Sequence, residues 1–174
     1  MKPVRQQLNS TNYDPCILIH PNIPKPLHGL NPRTIMGAGK WKELSDAKRN
    51  STHFCEACGT SKIISGILEC HEEYQINYEV GISKLVRIVA ICKKCHEFIH
   101  CGRLKALVKS RQISRRYYLM IIKRGREILK KHKIRRKKYR GVIAEWNQWK
   151  IIFEGKEYKP IHKTYEDWKK YYTK

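Results

Sequence analysis

The sequence predicts an α+β chain: a core of two strands and a helix held by paired cysteines, then basic helices, then a C-terminal β-hairpin plus helix. Three observations predict it. Two CxxC pairs, Cys55/Cys58 and Cys92/Cys95, bracket two β-like runs. A helical stretch starts on the second pair and carries His96 and His100 four residues apart. Residues 103–140 then hold 17 Lys or Arg against a single acid, Glu127.

Residues 1–50 read as an N-terminal arm and a short helix. Six prolines within residues 1–32 forbid a long helix there, so an extended arm that wraps the body or a partner is expected. From Thr34 to about Asn50, Trp41, Leu44 and Ala47 fall at helical spacing.

Residues 51–102 read as the core. "IISGILECHEEYQI" and "SKLVRIVAIC" are the two β-like runs. "KCHEFIHCG" reads as a helix start, with Gly102 as a terminator. A CxxC spacing lets two thiolates from one tight turn reach the same ion, and Gly59 suits the first turn. Two matched pairs make a closed four-thiolate site for a structural zinc. The chain has seven cysteines, and an odd number argues against a disulfide framework.

With the thiolates committed, His96 and His100 are free for a second ion. Residues i and i+4 share a helix face, so the two can bind together. His71, in the "LECHEEY" run, is the expected third ligand. On an alternating strand, Glu69, His71 and Glu73 share one face and Glu72 lies on the other. A three-histidine site leaves positions for a phosphate oxygen and water. His20, His28, His53, His132 and His162 show no such setting and read as surface or packing residues.

Residues 103–140 read as a basic helical region, with Ser114 a candidate N-cap. Arg103, Lys105, Lys109, Arg111, Arg115, Arg116, Lys123, Arg124, Arg126, Arg135, Arg136, Lys137 and Lys138 are the candidate phosphate contacts. Tyr117 and Tyr118 read as core packing in preference to base stacking. Residues 141–174 read as a hairpin turning at Gly155, then a helix with Thr164 and Asp167 as a capping box. Whether this hairpin is a separate lobe or completes the core is left open.

The formal net charge is +22, and self-repulsion of that size calls for a polyanionic partner. Nucleic acid is expected, DNA over RNA. No membrane-spanning stretch and no signal-peptide core are visible, so an intracellular, cytoplasmic protein is expected. Protein partners through the arm or the Trp-rich tail (Trp146, Trp149 and Trp168) are a further expectation, against a small satellite core.

"CEACG … LECHEEY … AICKKCHEFIH" resembles the zinc-stapled HNH endonucleases, also called His-Me finger or ββα-metal nucleases. "NPRTIMGAGKW", "CHEFIHCGRL" and "EWNQWKIIFEGKEYKPIHKTYEDW" are similar to a phage-associated group of HNH proteins. The resemblance implies a ββα-metal core, a catalytic divalent ion (Mg²⁺, Mn²⁺, Ni²⁺ or Zn²⁺) on His71, His96 and His100, and hydrolysis of DNA phosphodiesters in a bacterial or phage-infected cell. It places Glu72 where the family's general-base histidine stands. The family's middle Asn has no counterpart before the second CxxC. His71 as the base, with Glu69 or Glu72 helping to hold the ion, is the other assignment. Arg87 or Arg103 is the expected cation for the transition state. The alternative to an enzyme is a catalytically degenerate zinc module that binds DNA or RNA within a larger nucleoprotein assembly.

Overall fold

Strand β1 (Leu68–Asn77) and strand β2 (Ile82–Cys92) form an antiparallel hairpin, with His71 opposite Val89 and Cys70 opposite Ala90. The structure is a computed structural model, and it describes residues 13–135 and 139–172. Strand β3 (Lys150–Phe153) runs parallel to β2, pairing Ser83 with Ile151, and strand β4 (Lys156–Tyr158) pairs antiparallel with β3. The order β1-β2-β3-β4 is one mixed sheet, so the C-terminal hairpin completes it. Its turn is Glu154–Gly155, both at positive φ (49° and 75°), the backbone that two-residue hairpins favour. With helices packed around the sheet, the chain is α+β as expected.

The helices explain themselves locally. Helix α1 (Pro32–Ser51) opens on a reciprocal cap: Asn31 Oδ1 accepts from Thr34 N at 2.9 Å, and Thr34 Oγ1 accepts from Asn31 N at 3.0 Å. Gly37, at φ 82°, interrupts it. The apolar face expected from Trp41, Leu44 and Ala47 is not the buried one. Leu44 and Ala47 are exposed, while Ser45 is buried and its carbonyl accepts from the Cys70 thiol at 3.4 Å. The helix docks through its first turns, where Pro32 is buried and Ile35 and Met36 pack beside Leu27 and Trp149, and Lys48–Glu56 (2.9 Å) ties down its far end.

The first predicted β-like run begins too early. Ile63 and Ile64 belong to the short helix α2 (Lys62–Ser65), capped by Ser61, and the strand starts only at Leu68. An apolar run of that length does not distinguish strand from helix, and the Ser61 cap decides it. Helix α3 (Lys93–Ile99) follows β2 directly, and helix α4 (Cys101–Lys109) follows α3. Gly102 is not the terminator; it lies inside α4. The break falls at His100, whose ψ of 35° leaves the helical range while its N–H still reaches His96 O at 3.0 Å. Helix α5 (Arg115–Lys131) is capped by Ser114, whose Oγ accepts from Tyr117 N at 3.1 Å. Helix α6 (Tyr165–Tyr172) follows Thr164, whose Oγ1 accepts from Asp167 N at 3.1 Å.

Two apolar clusters hold this together. One joins Leu68, Val89, Ala90 and Ile91 of the hairpin to Ile99 of α3 and to the cysteines. The other gathers Trp149, Ile151 and Phe153 under the sheet. The arm staples both, with Ile17 and Leu18 in the first and Leu27 in the second. Burying each such side chain contributes about 1.5–3 kcal/mol. The arm thus wraps the body, and Trp149, 1% exposed, builds the satellite core. Among the described residues no helix is long and apolar enough to cross a membrane.

Candidate metal centres and basic surface

Cys55, Cys58, Cys92 and Cys95 bring their sulfurs within 4.8 Å of one another. The first turn is shaped by Gly59 at φ 71°, whose N–H reaches Cys55 O at 2.8 Å. Glu56 pins that turn to β2 by donating its N–H to Ala90 O at 3.0 Å and accepting from Ala90 N at 2.5 Å. The second pair sits where β2 passes into α3. The Cys58–Cys92 sulfur separation is 3.9 Å, close to the ~3.8 Å edge of a tetrahedron with Zn–S bonds of ~2.3 Å. Thiolate donors in that geometry fit a metal such as zinc. Contacts from Cys55, then Cys92 and Cys95, hold the Cys58 thiol well below its usual range.

Arg124 completes this centre. Its guanidinium donates to Cys58 Sγ at 3.2 Å and to Cys95 Sγ at 3.5 Å. Burial works against its charge, but the two sulfurs more than restore it. Arg124 was expected among the phosphate contacts, and the structure turns it inward. The reason lies next door: a Cβ at Gly125 would come within 2.2 Å of the Phe98 ring, so only glycine lets α5 approach α3 this closely.

His71, His96 and His100 also lie with ligand atoms within 4.8 Å of one another. His71 comes from β1, His96 from α3 and His100 from the break between α3 and α4. Ring centroids stand 5.3 Å apart for His71–His96, 5.0 Å for His71–His100 and 4.6 Å for His96–His100. Glu69 pairs with His96 Nδ1, which fixes that ring and leaves Nε2 as its other nitrogen. His71 is buried, and burial, then the neighbouring His20, pushes it down to about 3. Burial, then His96, pushes His100 down to about 4. Both imidazoles are therefore neutral near pH 7, the form that ligates metals.

The trio opens on a cavity of about 560 Å³, lined also by Glu72, Arg33, Arg103 and His20. Strict alternation would put Glu72 behind the sheet, yet it lines the same cavity as His71, 3.9 Å from Arg33. Since β1 is an edge strand, no strand beyond it separates its two faces on that side. Arg103 stands at the cavity as expected. Arg87 does not: it faces Glu73, its register partner, at 2.6 Å and Asp14 at 3.7 Å. Two residues escaped the sequence reading. Arg33 arrives on the first turn of α1, its guanidinium 4.4 Å over the Trp41 ring. His20, read as a surface or packing histidine, meets His71 edge-to-face at 4.7 Å. No local spacing signals either of them, because each reaches the site from the arm or α1.

Arg103, Lys105, Lys109, Arg111, Arg115, Arg116, Lys123, Arg126 and Arg135 are all exposed. Arg136, Lys137 and Lys138 lie outside the described residues. Tyr117 donates its hydroxyl to Glu97 at 2.7 Å, and that carboxylate pushes its pKa up to about 12. Tyr117 and Tyr118 are both half-buried. Comparison with protein-family models, curated proteins and solved structures returns no match.

Proposed function

We propose that the chain is a metal-dependent endonuclease of the HNH type, hydrolysing DNA phosphodiester bonds, with a ββα-metal core folded on a structural zinc. One observation carries the reading. Three imidazoles from a hairpin and the helix after it converge at an open cavity that also holds two arginines and a carboxylate.

A divalent ion bound by His71, His96 and His100 would supply Lewis-acid charge to a phosphate oxygen and the leaving oxygen. Glu69 orients His96. Arg33 and Arg103 place positive charge beside the phosphate as its own charge develops. Glu72 lines the cavity and, at the position the resemblance gives to the family's base, takes the proton of the attacking water. The exposed cations of α4 and α5 give sequence-independent, salt-sensitive affinity for the backbone.

A second reading is a zinc-folded binding module within a nucleoprotein assembly. The run of exposed cations along α4 and α5, beyond the cavity, favours it. Plasmid nicking by zinc-loaded protein with added Mg²⁺, Mn²⁺ or Ni²⁺ separates the two. Nicking that disappears in His71→Ala while DNA binding persists supports the nuclease. Tight binding by both proteins with no nicking under any ion selects the binding module.

A further inference from the structure

A second cavity, of about 940 Å³, shares lining residues with the one at the histidine cluster. The arm, the β1–β2 turn and the segment before β3 line it, and its walls include Tyr78, Tyr139, Trp146 and Trp149. His20 and Ile23 line both this cavity and the one at the histidines. The partition between them is therefore, in part, one imidazole ring, and that ring already touches His71.

The polar groups of these aromatic walls are all engaged with main-chain carbonyls. Tyr78 Oη donates to Asn22 O at 2.9 Å, and Tyr139 Oη to Val142 O at 2.8 Å. Trp146 Nε1 donates to His162 O at 2.8 Å, and Trp149 Nε1 to Ala144 O at 3.1 Å. The rings are thereby locked in place. Tyr78 and Tyr139 are stacked at 4.8 Å, and Trp149 stands edge-on to Tyr78 at 6.0 Å. What these rings offer a ligand is π-faces and C–H edges.

We propose that this cavity receives the nucleobase of a nucleotide adjacent to the phosphate at His71, His96 and His100, and that this nucleotide is unpaired. The proposal rests on the nuclease reading above. A phosphate at the histidines puts the neighbouring sugar at the shared wall and its base beyond it. Aromatic surfaces stack on any base, because every base has a π-face. A base stacked within a duplex has both faces covered by its neighbours, so one that stacks on these rings is extruded or already single-stranded. With the hydrogen-bonding groups of the rings spent internally, the rings stack on a base without reading its edge. The +22 charge selects a polyanion over an apolar peptide as the occupant.

The test uses zinc-loaded full-length protein and short single-stranded DNA, in which one nucleotide at a time is replaced by an abasic residue. A parallel series carries 5-iododeoxyuridine for photocrosslinking, with the attached residue mapped by mass spectrometry. The proposal expects one abasic position to weaken binding about 5- to 100-fold, the worth of one stacked base. It expects crosslinks at Trp146 or Tyr78, and little effect of changing base identity. Trp146→Ala should remove the abasic penalty. Ile143→Glu, at an exposed position on the cavity wall, should do the same without touching the core. Equal binding of all abasic oligomers, or crosslinks confined to α4 and α5, would overturn the base site. Crosslinking at Trp146 without nicking under any ion would keep the base site and sink the nuclease. Nicking with no crosslink in the cavity would do the reverse.

Discussion

The two ligand clusters use the same hairpin and helix, and they differ in what surrounds them. The cysteine cluster is enclosed: three of its four residues are buried, the apolar core wraps it, and Arg124 covers the sulfurs. The histidine cluster has one buried member, one half-buried and one exposed, and it faces a cavity with arginines and a carboxylate. Closed donor sets of soft thiolates hold a structure, whereas open sets of imidazoles leave room for a reacting molecule. The difference teaches that one short segment can divide the labour, with β2 and α3 anchored by the first centre so that His96 and His100 are placed for the second.

Breaking the closed centre should have the largest effect. Cys58→Ser or Cys92→Ser, or zinc stripping by a strong chelator, removes binding energy that is also folding energy, on the order of 10 kcal/mol for structural zinc. Thermal melts should lose the cooperative transition of residues 53–104. Breaking the open centre should leave the fold standing. Glu69→Gln should weaken second-ion binding by about 10- to 100-fold, as loss of a supporting carboxylate does, with circular dichroism unchanged. Survival of full ion affinity would mean that Glu69 does not orient His96.

Arg124→Gln sharpens the comparison from the closed side. It removes the charge that offsets the thiolates but keeps some hydrogen-bonding capacity. Zinc should transfer faster to a chromophoric chelator, while affinity for DNA should fall little compared with Arg116→Gln. An Arg124 variant that loses DNA affinity and keeps its zinc would return this residue to the phosphate contacts. The smallest effect is on pH dependence. His71 is held at about 3 and His100 at about 4, against ~6.5 in an unfolded chain. Between those values the unfolded chain binds protons that the folded protein refuses. Stability of protein lacking the second ion should therefore be full above about pH 6.5 and decline as pH falls toward 4. A flat profile across that window would contradict the buried, neutral state of both rings.

Much of this was legible in the sequence because it was written at short range. The CxxC pairs and the His96–His100 spacing are local patterns, and helix capping at Ser114 and Thr164 is local too. His71 stands in the run between the two CxxC pairs, the segment that a shared ion draws to the helix. What was not legible depends on contacts across long stretches of chain. His20 and Arg33 reach the histidine cavity from the arm and from α1, whose polar sequence gives no face to read. The inward turn of Arg124 hangs on Gly125 meeting Phe98, and nothing in a basic helix marks one arginine among many. The early start assigned to β1 failed for a simpler reason: Ile63 and Ile64 are β-formers sitting in a capped single turn of helix.

Two donor sets, one closed and one open, could each hold a metal ion. The most direct measurement is Mn²⁺ binding to zinc-loaded protein by electron paramagnetic resonance, with total metal counted, in wild type and His71→Ala. One tightly held zinc in both proteins, and one additional Mn²⁺ that His71→Ala abolishes, is the expected result. Equal Mn²⁺ binding by the two proteins, or none by either, would contradict it.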